Sequence, residues 1–231
     1  IVRPRKTGGR KNIRLFMQRQ KFHITARKGW INDPNGPVFY KGYYHVFFQY
    51  HPYSTQWGPM HWGHVRSKDL VKWEHLPVAL APGDEIDKDG CFSGSAAVVG
   101  ERLYLMYTGV VNRDGKCFQS QCIACSDDGV RFEKYPKIVI GGDLLPEGFS
   151  PCDFRDPCVF EKDGVFFALV AARKGDSSDI LLFRSSDLKE WRCNGSVLDY
   201  PSTGKMIECP SWSEKEKLLL YSDQFSVPEG C

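Results

Sequence analysis

Apolar and polar residues alternate in short runs along most of the chain, and no window of about 11 residues carries a helical period. The runs come in pairs separated by turn residues. Val38-Phe39-Tyr40 and Tyr43 to Tyr50 flank Lys41-Gly42. Ala96 to Val99 and Leu103 to Tyr107 flank Gly100-Glu101-Arg102. Val159 to Lys162 and Val165 to Ala171 flank Asp163-Gly164. Each pair predicts a β-hairpin. A second pattern, Ser-x-Asp-x-x-x-aromatic, occurs at Ser67 to Trp73, Ser126 to Phe132 and Ser185 to Trp191, 59 residues apart both times. It joins a preceding apolar run (Trp62 to Val65, Cys122 to Cys125, Ile180 to Phe183) to a following one (His75 to Leu80, Tyr135 to Ile140, Val197 to Tyr200). Each unit therefore reads as four short strands. Helix-free four-stranded repeats predict an all-β chain folded as a β-propeller. A β-sandwich would not be expected to repeat in this way. A fourth unit starts near Pro210-Ser211-Trp212, with Lys217 to Ser222 as its second strand. The expectation is about three and a half blades of a longer protein, since a closed ring needs roughly four to eight.

Composition supports one sizeable core: 42% of the 231 residues are hydrophobic and 13% aromatic. No apolar stretch approaches the roughly 18 residues of a membrane helix, so no membrane partner is expected. Charge is unevenly placed. Residues 1–28 carry ten Lys/Arg and no acid, which leaves 21 basic against 28 acidic residues for the remainder. A basic arm can serve nucleic acid or membrane surfaces. The acidic remainder favours a plain extension, and no nucleic-acid partner is expected. Residues 1–21 are read as a disordered basic leader, non-native before Met17, and residues 22–231 as the partial propeller. No signal-peptide h-region is seen. Nine cysteines, an odd number, then read as reduced thiols of a cytoplasmic protein. Cys122-Ile123-Ala124-Cys125 lies in an apolar run without a second ligand pair, so strand packing is favoured over a metal site.

The candidate chemistry gathers on Trp30-Ile31-Asn32-Asp33-Pro34-Asn35-Gly36. Pro34 fixes its own φ and biases Asp33 towards extended backbone. Asn35-Gly36 is a turn signal. Asp33 is thus expected on a stiff corner just before an innermost strand. The equivalent points in the later units are Cys91-Phe92-Ser93-Gly94, Arg155-Asp156-Pro157 and Glu208-Cys209-Pro210. Three of the four carry an acid, and a propeller would bring them to one funnel. Converging acids can bind a hard cation or cleave a glycosidic bond. The neighbours Trp30, Asn32, Gln49, Trp57, Phe92, Ser93 and Arg155 favour a sugar site, as aromatic walls and hydroxyl-binding groups. Trp73, Phe132 and Trp191 repeat with the blade and are assigned to packing.

These motifs resemble those of glycoside hydrolase family 32, the invertases and fructan hydrolases. The box at 30–36 is similar to that family's sucrose-binding box, with Ile31 where Met or Leu is more usual. Phe154-Arg155-Asp156-Pro157 and Glu208-Cys209-Pro210 match its Arg-Asp-Pro and Glu-Cys motifs. Gln49 to Pro52, Trp57 to His64 and Phe92-Ser93-Gly94 fit as well. The resemblance is strongest to bacterial cytosolic hydrolases of sucrose or sucrose 6-phosphate. It implies a five-bladed propeller followed by a β-sandwich, a small sugar as partner, and neither cofactor nor metal. It implies a retaining mechanism with Asp33 as nucleophile, Glu208 as general acid and base, and Asp156 as a hydroxyl-binding stabiliser of the transition state. The Asp33 charge would raise the Glu208 pKa, and the two carboxyls would stand about 5–5.5 Å apart. Arg155 would orient carboxylates; Asn32, Gln49 and Ser93 would bind hydroxyls between Trp57 and Phe92. Two alternatives stay open: an inverting arabinan- or xylan-cleaving propeller, and a non-catalytic sugar-binding fragment.

Overall fold

The computed structural model describes Gln20, residues 22–198 and residues 206–224. The basic leader, Gln20 and residue 22 onward apart, lies outside the described residues. The described residues form three four-stranded antiparallel sheets and one hairpin. Blade 1 is β1 (Trp30–Tyr40), β2 (Tyr43–His51), β3 (His61–Ser67) and β4 (Glu74–His75). Blade 2 is β5 (Gly90–Val99), β6 (Arg102–Arg113), β7 (Lys116–Ser126) and β8 (Glu133–Lys134). Blade 3 is β9 (Phe149–Lys162), β10 (Val165–Lys174), β11 (Ser177–Ser185) and β12 (Trp191–Ser196). The hairpin is β13 (Met206–Ser213) and β14 (Leu218–Gln224), four residues earlier in its start than the sequence reading placed it. In each blade the strands are paired in chain order, and the first strands pack in succession, β1 on β5, β5 on β9 and β9 on β13. That is propeller packing.

The 59-residue repeat has a local cause. In each copy the Asp side chain accepts two backbone N–H groups. For Asp69 these are Val71 and Lys72, at 2.9 and 2.8 Å. For Asp128 they are Val130 and Arg131, at 2.7 and 2.9 Å. For Asp187 they are Lys189 and Glu190, at 2.8 and 2.9 Å. The preceding Ser hydroxyl braces the same carboxylate. The residue after the Asp is left-handed each time: Leu70, Gly129 and Leu188 have φ of 60, 71 and 66°. This bracket reverses the chain between the third and fourth strands.

In blades 1 and 2 the fourth strands are shorter than the apolar runs suggested, and in blade 3 the fourth strand, β12, lies ahead of the expected run from Val197, whose residues 199 and 200 are outside the described residues. β4 and β8 have two residues each. Pro77 and Pro136 lack the N–H that continued pairing needs. The chain regains the sheet at single bridges, Leu80 to Trp62 and Ile140 to Gln121.

The core lies between blades. Tyr40, Phe47, Trp62 and Leu80 of blade 1 pack on Cys91, Leu105, Tyr107 and Cys122 of blade 2. Met106, Ile123 and Ile140 of blade 2 pack on Phe154, Ala168, Val170 and Phe183 of blade 3. Leu169, Ala171 and Ile180 of blade 3 receive Met206 and Ile207 of the hairpin. Cys122 is fully buried in this core, and the eight cysteines among the described residues are free thiols.

Candidate active site

The inner strands share one irregularity. Register jumps between Ile31 and Pro34 in β1 and between Phe92 and Gly94 in β5. It jumps again between Arg155 and Cys158 in β9 and between Glu208 and Ser211 in β13. Each jump is a β-bulge with one residue more than its partner strand, and such bulges re-aim side chains. The acids thus sit inside strands and not before them, which corrects the expected corner. Asn35-Gly36 is likewise no turn: Asn35 pairs with Phe47, and a second register shift follows before Val38. Gly36 has φ of 50°, and a Cβ there would meet Ala96 Cβ at 2.8 Å. Close packing of blade 1 on blade 2 is what overrides the local turn signal. The register also adjusts the equivalences by one place. Glu208 is the last paired residue before its bulge, as Arg155 is, whereas Asp33 and Asp156 lie within theirs.

The bulges open on one cavity of about 410 Å³. It is lined by Asp33, Asp156 and Glu208, by Asn32, Gln49, Ser93 and Arg155, and by Trp57 and Phe92. Nine of the ten residues proposed from sequence are therefore brought together. Trp30 is the tenth. It does not line the cavity but donates its indole Nε1–H to Asn32 Oδ1 at 2.7 Å, so it orients a lining residue. Trp57 and Phe92 meet edge-on, with ring centroids 5.7 Å apart. Gln119 and Gln224 also line the cavity and were missed. A groove of about 550 Å³ shares Gln119 and passes Arg113, Phe118 and Lys189.

Each carboxylate is held differently. Ser93 donates its hydroxyl to Asp33 Oδ2 at 2.8 Å; Oδ1 takes no hydrogen bond from the described residues. Glu208 Oε1 accepts Arg155 Nη2 at 2.7 Å and Nε at 3.1 Å. Asp156 is buried, and its Oδ2 accepts the backbone N–H of Cys209 at 3.0 Å. Burial raises the Asp156 pKa to about 6; the Arg155 guanidinium and the Cys209 N–H oppose that rise, and the charges of Glu208 and Asp33 add to it. The Arg155 guanidinium, between the acids of β9 and β13, also approaches Asp153 at 3.5 Å. Both Arg155 bonds fall on Glu208 Oε1, so the guanidinium fixes that carboxylate by charge-assisted hydrogen bonds. What is left is an acid held by a single hydroxyl, a second acid held on one oxygen by an arginine, and a third that is buried and bonded to a backbone N–H.

Residues 23–219 match the model for the Glycosyl hydrolases family 32 N-terminal domain. The chain belongs to glycoside hydrolase family 32. Among curated members it is 43% identical over 219 residues to a sucrose-6-phosphate hydrolase of Escherichia coli, covering 90% of this chain and 44% of that protein. It is 44% identical over 207 residues to a levanase of Bacillus subtilis, covering 85% of this chain and 29% of that protein. A GH32 beta-fructofuranosidase of Bombyx mori, solved as a mutant in complex with sucrose, superposes with a TM-score of 0.81 at 38% identity, covering 91% of this chain and 45% of that one. The chain thus spans less than half the length of these family members. Within that span the all-β propeller fold of four-stranded sheets described above is shared with the superposed structure.

Proposed function

We propose that this chain carries the fructosyl-binding half-reaction centre of a retaining β-fructofuranosidase acting on sucrose or sucrose 6-phosphate. The observation that carries the reading is the meeting of Asp33, Asp156 and Glu208 in one cavity, each with a different hydrogen-bond environment. In this reading the free oxygen of Asp33 attacks the anomeric carbon of the fructosyl ring while Ser93 steadies the other oxygen. Glu208 protonates the departing glucosyl oxygen. The fructosyl–Asp33 ester is then hydrolysed by a water that Glu208 deprotonates. Asp156 accepts hydrogen bonds from fructosyl hydroxyls, and these strengthen as positive charge develops in the ring. Trp57 and Phe92 form apolar walls, and Asn32 and Gln49 supply amide groups to hydroxyls. Arg155 holds Glu208 at the rim.

The leaving group is the finer question. The names of similar proteins cover sucrose 6-phosphate and levan at nearly equal identity. The adjoining groove carries Arg113 and Lys189 together with Asp143 and Glu190, so its charge does not select the phosphorylated sugar, and the reading keeps sucrose and sucrose 6-phosphate side by side. Free thiols at all eight described cysteines support a reducing, cytoplasmic setting.

The test is hydrolysis by the complete protein of sucrose, sucrose 6-phosphate and levan, with the product anomer followed by NMR. Release of β-fructofuranose first is expected; release of the α anomer would favour an inverting enzyme. Asp33→Asn and Glu208→Gln should each remove most turnover, and near-wild-type activity in either would end the assignment.

A further inference from the structure

The mechanism uses Asp156 and Arg155 but leaves open what holds that stretch of backbone. Asp156 has φ of 63°, a left-handed conformation that costs a non-glycine residue on the order of 1–2 kcal/mol. It also sits in the β9 bulge, where ladder pairing with β10 lapses between Arg155 and Cys158. Its N–H therefore needs an acceptor from elsewhere, since a buried N–H without one is strongly disfavoured.

Blade 2 supplies it. Thr108, on β6 and fully buried, accepts the Asp156 N–H on Oγ1 at 2.9 Å. The same hydroxyl donates to Gln121 Oε1 at 2.9 Å. Gln121, also fully buried, donates Nε2–H to the carbonyl of Phe154 at 2.9 Å. The three bonds close a ring through the Phe154–Arg155–Asp156 backbone, and both ends of the tripeptide are gripped from the neighbouring blade. Gln119 adds a third hold, accepting the Phe154 N–H at 2.8 Å. On its other side Thr108 Oγ1 lies 3.3 Å from the carbonyl of Ser93, the residue whose hydroxyl reaches Asp33. One hydroxyl thus stands between the bulge that serves Asp33 and the bulge that carries Asp156.

We propose that Thr108 and Gln121 are positioning residues for the reaction: their hydrogen-bond ring holds Asp156 in its left-handed bulge and aims Arg155 at Glu208. This rests on the functional reading above. Neither residue touches substrate in this role. Rings of this kind fix geometry at the tolerance catalysis needs, because a displacement of about 1 Å can cost 100-fold in rate.

The experiment compares Thr108→Val and Thr108→Ser in the complete protein. Valine keeps the shape and removes the hydroxyl. It should lower kcat about 10- to 100-fold with KM changed less than about threefold. Serine keeps the hydroxyl and should stay within about threefold of wild type in kcat. Gln121→Glu, which removes the donor to Phe154, should follow valine and serves if Thr108→Val does not fold. A folded Thr108→Val with wild-type kcat would overturn the proposal, as would a serine variant as slow as the valine one. Crystal structures give a readout independent of activity. Residue 156 should leave positive φ in Thr108→Val and keep it in Thr108→Ser; positive φ in both overturns the proposal. If the wild-type protein cleaves no fructoside, the functional reading fails, and the ring is judged by those structures alone.

Discussion

Asp156 answers two opposed demands. In the proposed reaction Asp156 accepts sugar hydroxyls, which it does most strongly when ionised, yet burial lifts its pKa to about 6. The folded state then holds the proton more tightly than the unfolded chain. Its contribution to stability is greatest below the unfolded pKa of about 3.9 and is lost as pH rises towards 6. At pH 7 the native state bears a penalty of about 3 kcal/mol from this group. Asp156→Asn is therefore expected to raise thermal stability at pH 7 while lowering turnover by about 100- to 1,000-fold. Calorimetry with kinetics checks both, and a variant that is both slower and less stable at pH 7 contradicts the burial argument. Wild-type turnover should also decline as pH falls below about 6. The buried pair in blade 1 has the opposite slope. His64 Nε2 lies 2.9 Å from His45 Nδ1, and its ring stacks on Phe47 at 4.2 Å. Burial first, then the facing His45 and Arg66, lowers the His64 pKa to about 3. The unfolded chain takes up this proton below about 6.5 and the folded state does not, so stability is lost as pH falls from there. Between pH 7 and pH 4 the loss from this one group is about 3 kcal/mol. Urea unfolding at the two pH values should show a smaller difference in His64→Phe than in wild type; an unchanged difference would place the acid sensitivity elsewhere.

At the scale of strands, Gly36 is the position where function and packing meet. Its left-handed backbone and the 2.8 Å approach to Ala96 leave no place for a Cβ. Gly36→Ala should cost about 2 kcal/mol or more, a Tm loss of roughly 4–8 °C at this chain length, and should lower kcat through Asp33 three residues away. Gly42, at φ of 80° but with open space around it, is the control: Gly42→Ala should lower Tm less and leave kcat alone. Equal kinetic effects from both would break the link between the β1–β5 contact and Asp33. The contrast also explains what could be read from the chain. Ser67-x-Asp69, Ser126-x-Asp128 and Ser185-x-Asp187 were legible because a side chain bonding its own turn is local chemistry, and the 59-residue spacing then exposed the blades. Asp33, Asp156 and Glu208 were legible through that spacing and the motifs around them. Asn35-Gly36 misled because its local preference for a turn yields to a neighbouring strand some 60 residues on. Thr108, Gln119 and Gln121 were silent. Polar residues on alternate positions of a strand look like a solvent face until the adjoining blade is known to lie against them.

For the whole molecule, the cavity is a meeting of parts that are remote in sequence. Blade 1 brings Asp33 and Gln49, blade 2 brings Phe92 and Ser93, blade 3 brings Arg155 and Asp156, and the hairpin brings Glu208. Directed bonds cross between them at the acids. Ser93 reaches Asp33, Thr108 reaches Asp156, and the hairpin returns two contacts to blade 3, Glu208 to Arg155 and Cys209 N–H to Asp156. Apolar contact beneath the hairpin adds Met206 and Ile207 on Leu169 and Ala171. A sugar lodged among these groups would touch all four parts at once, so its binding energy should appear as cohesion between blades. Fructose at about 100 times its Kd should stabilise the protein by about 2.7 kcal/mol, a Tm rise of roughly 5–10 °C. Amide exchange should slow in β13 and β14 as well as around Asp33 and Asp156, because the ligand couples the hairpin to the sheets it rests on. Asp33→Ala should weaken both effects together. A thermal shift accompanied by protection in blade 1 alone would mean that the box at 30–36 binds sugar without engaging Glu208, and the four-part site would have to be given up.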